Sequence, residues 1–389
     1  MSTVAPASRL TGALLFAAAL CAGATVANIY LAQPIIGPIA AAFGSSPQAA
    51  GIVVTAGMLG YSAGLLLVVP LGDSLDRRKM VGGLSVLTAL LLLGSAAAPS
   101  LPVLTLFAGL AAATTVIPQV LIPLVAQLAE PGQRGIAMSW VQAGLLTGIM
   151  GSRVFSGQLA GLAGWRWVFA ASAALTLIVG LWTMLVMPAD GPRGSPNYRA
   201  LLRSLPGYLR REPALRRACL RHAGIFAAFN TIWTTLALVL TAPPHGLTVG
   251  GAGLVGLLGL ISAALAPVAG KLVDQRGPRL VAALGLLVLA AAVLLLAAGT
   301  NSLALLLVGT AAVPIGMQTS QAANQNAALT VDPSVGGRLN TVFMLATFLA
   351  GALGSAVGSF AYGSHGWLGV CASALVFLGL SALGLRRAR

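Results

Sequence analysis

The chain has 389 residues, of which 58% are hydrophobic and only 7% charged, with a mean hydropathy of +0.93. A soluble domain carries about 25% charged residues, so this chain cannot coat a large globule with polar surface, and its solvent is mostly lipid. The net charge of +15 does not point to nucleic acid, because the basic residues lie in short breaks between apolar runs and form no stripe on a soluble surface.

A membrane-spanning helix needs about twenty mostly apolar residues, at about 1.5 Å each across a hydrocarbon core about 30 Å thick. Runs and breaks predict helices at 11–33, 47–71, 80–98, 101–128, 136–161 and 166–187. Arg9 and the apolar stretch behind it have the outline of a signal peptide, but another long apolar run begins near Gly51, so the first run reads as an uncleaved membrane helix. A polar break at 188–216 follows, with Pro192, Pro196, Pro206, Pro213 and many arginines; within it 198–209 suits a short amphipathic helix lying on anionic headgroups. Six further runs fall at 217–242, 250–270, 279–299, 302–329, 338–361 and 367–385. The 101–128 and 302–329 runs exceed a perpendicular crossing and call for tilt. The expected fold is an all-α membrane protein of twelve transmembrane helices in two pseudo-symmetric six-helix bundles, residues 1–187 and 217–389, joined by a basic linker, 188–216.

Lys and Arg alternate strictly with the breaks. One set holds Arg77, Arg78 and Lys79, then Arg134, Arg193 through Arg221, Lys271, Arg276, Arg279 and Arg338, and both ends join it through Arg9 and Arg386, Arg387 and Arg389. The other set (41–50, 98–102, 241–250, 298–302 and 362–367) has no charged residue, Arg166 beside it being flanked by Trp165 and Trp167. Every acidic residue lies on the basic side. Because basic loops stay in the cytoplasm, both termini are expected there, in a bacterial inner membrane.

The two halves repeat at an offset near two hundred residues. Gly148-Ile-Met-Gly-Ser-Arg153 matches Gly351-Ala-Leu-Gly-Ser-Ala356, each ahead of a Gly-Trp pair, Gly164-Trp165 and Gly366-Trp367. Gly72 to Asp76 likewise corresponds to Gly270 to Asp274. Six helices per half in one orientation make these parallel repeats about an axis along the membrane normal, an architecture found in transporters.

The loop Pro70-Leu-Gly72-Asp-Ser-Leu-Asp76-Arg77-Arg78-Lys79 resembles the signature loop of the major facilitator superfamily: a glycine, an aspartate four residues later, then arginine. Its closing segment is two residues short and lacks a glycine. The second copy, Gly270-Lys-Leu-Val-Asp274-Gln-Arg-Gly277-Pro-Arg279, keeps Gly, Asp, Gly and Arg in place, with Gln275 for the first arginine. With Asn28-Ile-Tyr-Leu-Ala-Gln-Pro34 and Gly164-Trp-Arg-Trp-Val-Phe169, the chain is similar over essentially its whole length to bacterial drug/proton antiporter-like efflux permeases. The resemblance implies alternating access, a conformational gate at Gly72, Asp76, Arg77, Gly270, Asp274, Gly277 and Arg279, and export of a drug or metabolite, with protons as partners. The fifth helix departs from the antiporter pattern at Ile149, where the family has proline, and the family's frequent arginine on the fourth helix is absent.

Arg153 is the sharpest single feature. It lies near the middle of the fifth predicted helix, where an arginine costs about 2.5–3.5 kcal/mol on insertion scales, and no carboxylate occurs in any apolar core. It is expected to face a cavity, sharing a helical face with Gln142 and Ser156; the alternative is a structural arginine capped by carbonyls. Further cavity candidates are Asn28 and Gln33 on the first helix, Gln119 on the fourth, Asn230 and Trp233 on the seventh, and Gln318 and Gln321, with Gln325, as a stripe on the tenth. The resemblance puts these four helices around the central cavity; the plainer reading of any one amide is a hydrogen bond between helices. Pro118 and Pro314 are candidate bend points, and the glycines around Gly148 and Gly351 are expected to pack tightly, against the partner half.

Cys21, Cys219 and Cys371 sit in apolar runs without metal-ligand spacing, and neither a phosphate-binding loop nor a set of converging acid, base or metal groups appears in the membrane. No cofactor, metal or enzymatic activity is expected; a small-molecule substrate, the lipid bilayer and a monomeric state are. The competing transport reading is an uncoupled facilitator or importer of an anionic metabolite held by Arg153.

Overall fold

The structure, a computed structural model, describes residues 10–130, 132–188, 198–332 and 335–385. Arg9, Arg193 and the tail arginines 386, 387 and 389 lie outside the described residues. Among the described residues all regular structure is helical, in twelve crossings and a linker helix between the sixth and seventh.

Proline and glycine decide where the helices break. Helix α1 starts at Gly12 under a cap from Thr11, whose Oγ1 accepts from Leu14 N at 3.2 Å. It runs Gly12–Ala27 and resumes, after a turn, as Gln33–Ile35 and Ile36–Ala42. A proline ring collides with the carbonyl four residues back; for Pro34 that is Tyr30, inside the turn. The first crossing is therefore longer than the predicted run and broken. Helix α2 (Pro47–Ala50, then Ile52–Leu67) ends in a tight turn, Val69–Asp73, and α3 spans Arg77–Ala96. Helix α4 is two segments, Leu101–Thr114 and Ile117–Leu128, and the residue four before Pro118 is Thr114, where the first segment stops. Helices α5 (Arg134–Ala163) and α6 (Trp165–Val186) complete the first half.

The second half opens with α7, Pro213–Thr241. Helix α8 contains a tight turn, Val255–Gly259, between Val249–Leu254 and Leu260–Arg276; α9 is Pro278–Ala298 and α10 Leu303–Leu329. Unlike Pro118, Pro314 stays inside a continuous helix. The last stretch, Gly336–Leu383, divides at Gly366 (φ 63°, ψ −157°) into α11 (336–365) and α12 (367–383). Gly164, its repeat counterpart, has φ 94° and joins α5 to α6. Both positions need a backbone that residues with a Cβ rarely adopt, which explains the repeated Gly-Trp pair.

Within each half the repeat is visible in packing. Helix α1 lies on α5 and α7 on α11, α3 on α6, and α2 on α4. A Cβ at Gly144 or Gly148 would collide with the backbone of Ala19 or Gly23 on α1, and one at Gly354 with Ala227 on α7. These glycines thus seat neighbours in their own half, correcting the expectation of contact across the halves. Glycine spacing announces close packing but not the partner. The glycines of α5 that do cross are Gly157, against Gly253 of α8, and Gly161, beside Gly250. Phe16, Leu90, Ile178, Leu287, Phe360 and Val376 are exposed around the outside, a belt that only a lipid solvent makes stable.

The linker helix, Tyr198–Arg211, touches both halves. Its Tyr198 hydroxyl donates to Leu67 O at 2.8 Å, its Tyr208 hydroxyl accepts from Arg338 Nη1 at 3.1 Å, and Leu205 is buried.

Candidate functional site

The halves meet at the uncharged face and part toward the basic one. At the uncharged face α5 packs on α8 through Gly157 and Gly253, and Gln158 Nε2 donates to Gly250 O at 3.1 Å. Helix α2 packs on α11, where a Cβ at Gly51 would strike Ser359, and Thr55 Oγ1 donates to Ser355 Oγ at 3.3 Å. Below these seams lies a cavity of about 890 Å³ that reaches the basic face between the starts of α5 and α11, lined there by Gly135, Met138, Gly337 and Arg338.

Six glutamines contribute to the polar lining of this cavity. Gln119, Gln142, Gln318 and Gln321 face it, as do Gln127 and Gln325. Gln119 Nε2 donates to the Tyr61 hydroxyl at 3.3 Å, and Gln325 Nε2 to Asn340 Oδ1 at 2.9 Å. The inner end is aromatic: Tyr30, Tyr61, Phe226, Phe229 and Phe348. Tyr61 and Phe348 close on one another from opposite halves, with ring centroids 4.4 Å apart, and Phe348 meets Phe226 at 5.3 Å. Among the described lining residues there is no Asp, Glu or His; the cations are Arg77 and Arg338, toward the basic face. Such a surface offers stacking and neutral hydrogen bonds along apolar walls, which suits an uncharged or amphiphilic organic molecule.

Sequence pattern points to Gln119, Gln142, Gln318, Gln321 and Gln325 but not to Gln127 or the aromatic end. Tyr30 lies within the Asn28–Pro34 motif, and Phe226 stands one helical turn before Asn230, the one signal that would have found it.

Asn28, Gln33, Arg153, Asn230 and Trp233 lie behind the lining. Asn28 ties three helices together at the break in α1: its Nδ2 donates to Thr115 Oγ1 (3.2 Å) and Thr176 Oγ1 (3.1 Å), and its Oδ1 accepts from Ser172 (2.6 Å). Asn230 is buried and donates to Phe226 O at 3.0 Å, one turn back in its own helix. Arg153 is 2% exposed. Its Nη1 donates to Ile149 O at 2.7 Å and its Nη2 to Gln33 Oε1 at 2.9 Å, while its guanidinium carbon stands 4.1 Å from the Trp233 ring centre and 5.2 Å from that of Tyr30. Cation–π stacking and helix carbonyls compensate the buried charge in part. Tyr30 and Ile149 also line the cavity, so Arg153 sits one side-chain layer behind its aromatic end.

In the first gate loop, Asp76 caps α3, its carboxylate accepting from Arg78 N (2.9 Å) and Lys79 N (3.4 Å). Arg77 is buried, donating from Nε to Gly72 O (3.1 Å) and from Nη1 to Gln127 Oε1 (3.0 Å), which binds the loop to α4. In the second copy Asp274 is exposed, Gly270 is in open space, Gly277 (φ 80°) starts α9, and Arg279 Nη2 donates to Leu385 O at 2.6 Å.

Comparison with known proteins places this geometry. The profile of the Major Facilitator Superfamily matches residues 15–355. A protein of Streptomyces coelicolor described as a probable transporter is 41% identical over 375 residues, 95% of this chain and 87% of the relative. A multidrug resistance protein B homolog of Mycobacterium tuberculosis is 26% identical over 421 aligned positions, 90% of this chain and 76% of that one. A bacterial homologue of the human lysosomal transporter Spinster, solved inward-facing and unoccupied, superposes with a TM-score of 0.76 at 17% identity, covering 95% of this chain and 94% of its own. The chain belongs to the Major Facilitator Superfamily, as a multi-pass membrane transporter and not an enzyme.

Proposed function

We propose that this transporter exports a small amphiphilic organic molecule, a drug or metabolite, from the cytoplasm across a bacterial inner membrane. Both chain ends are cytoplasmic, and bundles 1–187 and 217–389 rock about the cavity between them while the linker keeps them joined. The observation that carries this reading is the cavity itself: glutamines over an aromatic inner end, shut at the uncharged face and reaching the basic one. Positive-inside topology makes the basic face cytoplasmic, so the chain stands ready to load from inside. The multidrug resistance name of the mycobacterial relative supports export, and resemblance to drug/proton antiporter-like permeases supports exchange for protons. Arg153 lies behind the wall of the cavity, which favours this reading over import of an anionic metabolite bound to that residue.

Inside-out vesicles test it. They should accumulate an aromatic amphiphile such as a fluorescent dye, faster with an acidic lumen, and Gln318→Ala with Gln321→Ala should slow that accumulation. Uptake that ignores the pH gradient removes proton exchange; uptake only in right-side-out vesicles removes export. A reporter fused to the carboxyl terminus that is active only outside the cytoplasm would overturn the orientation.

A further inference from the structure

The chemistry around Arg153 is one-sided. A guanidinium has five N–H donors and no acceptor, all directed outward in its plane. Two edges are used, by Ile149 O and Gln33 Oε1. Stacking on Trp233 covers a face and leaves the remaining edge open. Arg153 Nε has no hydrogen-bond partner among the described residues, and neither does Gln33 Nε2 nor Trp233 Nε1. Arg153, Gln33 and Trp233 are 2%, 1% and 4% exposed. On the same helix Ser156, 0% exposed, has an unpartnered Oγ, another available donor.

Buried donors are almost always paired, so three unpaired N–H groups, on Arg153 and on the two side chains it touches, mark a missing acceptor. Water would supply donors as well as acceptors; an anion supplies acceptors alone and also neutralises the charge. The chain offers no carboxylate to neutralise it, since all seven acidic residues lie toward the basic side. A buried cation without a counter-charge is strongly unfavourable.

We propose that Arg153, Gln33 and Trp233 form a binding site for a small monovalent anion, a halide or a carboxylate group, one layer behind the aromatic end of the transport cavity. The site belongs to the closed conformation, because it is built from both halves: Arg153 and Gln33 from the first, Trp233 from the second, with Gly256 of α8 directly against the Arg153 side chain. An anion there stabilises the contact between halves at the uncharged face. The proposal does not depend on what the cavity carries.

The test uses the purified full chain in lipid nanodiscs with sulfate, which is neither monovalent nor a carboxylate, as the starting anion. Bromide quenches tryptophan emission on contact, so bound bromide beside Trp233 should give a saturable component above the linear collisional quenching of the other five tryptophans. Trp233→Phe should abolish that component, and Arg153→Gln should weaken it at least about tenfold. Chloride should raise the unfolding temperature of the wild type and of Arg153→Lys, but not of Arg153→Gln. Gln33→Leu, which keeps the charge, should give an intermediate bromide affinity, so the test survives if Arg153→Gln fails to fold. Competition by acetate assigns carboxylates to the site; its absence assigns halides. Strictly linear bromide quenching in the wild type, or a saturable component that Gln33→Leu and Arg153→Gln leave unchanged, overturns the proposal.

Discussion

Two glycines three residues apart on α5 give the most direct test of the packing. A Cβ on Gly148 would stand 2.5 Å from Gly23 Cα and closer still to Gly23 O, all backbone, whereas one on Gly151 meets nothing within 4 Å. In a free helix, alanine at either position is better than glycine by about 0.5–1 kcal/mol. At Gly151 that gain should stand alone. At Gly148 α1 must move away by more than an ångström to restore ordinary contact with Gly23 O, and overpacking of this kind costs about 1–3 kcal/mol. The gap also weakens dispersion along the Ala19, Gly23 and Gly144 contacts, because an opening of 0.5–1 Å forfeits about a quarter to a half of each well. Gly148→Ala is therefore expected to lose about 2 kcal/mol net, and Gly151→Ala to equal or exceed the wild type. Thermal unfolding of purified protein in one detergent orders the three. Equal loss at both positions, or none at Gly148, would refute the assignment of Gly148 to the α1 contact.

Thr55→Cys with Ser355→Cys places two thiols where hydroxyls now lie 3.3 Å apart across α2 and α11; oxidation should stop transport and reductant restore it, and turnover by the cross-linked protein would show that this seam need not open. Asp76→Ala removes the cap of α3 and should cost about 1 kcal/mol of stability, while Asp76→Asn keeps an acceptor and most of that stability. A transport defect in Asp76→Asn at unchanged unfolding temperature separates the gate's charge from the cap. Gln119→Leu removes the hydrogen bond to Tyr61 and one neutral cavity amide, so KM for an amphiphilic substrate should rise roughly 2–10-fold, the value of one such bond, with kcat less affected.

The sequence was most informative where lipid dictates the answer. Helix number and the two-fold repeat follow from apolar runs and basic breaks, because a bilayer tolerates little else. An amide in an apolar run needs a polar neighbour, but that rule alone does not separate Gln119, Gln142, Gln318 and Gln321, which line the cavity, from Asn28, Gln33 and Asn230, which do not. Nor was the aromatic end legible. Phe226 and Phe348 face the cavity while Phe16 and Phe360 face outward, and hydropathy is the same for both. Proline was an ambiguous sign: Pro34 and Pro118 coincide with breaks, while Pro314 lies within an unbroken α10. Arg153 stood out in the sequence as an anomaly of charge, but its surroundings come from three distant segments that only the fold assembles.

The repeat is obeyed by the skeleton and broken at the seams, and the difference bears on how the halves separate. Ser152 and Ser355 correspond, but Arg153 corresponds to Ala356. On the α2–α11 side Ser355 joins Thr55 and Thr234 through hydroxyls at 3.3 and 3.1 Å, neutral bonds worth about 1 kcal/mol each that water replaces readily. On the other side the first half meets the second through a guanidinium stacked on Trp233, an interaction worth about 2 kcal/mol or more when desolvated. Parting that contact breaks the stack but rehydrates a cation held out of water at a cost of several kcal/mol. The two terms oppose and are of similar size, so Arg153 penalises a half-open state, in which the stack is lost before water arrives, more than either end state. A small residue at the same place, like Ala356 in the other half, would leave a seam that loosens gradually, whereas Arg153 makes the closed and open arrangements discrete.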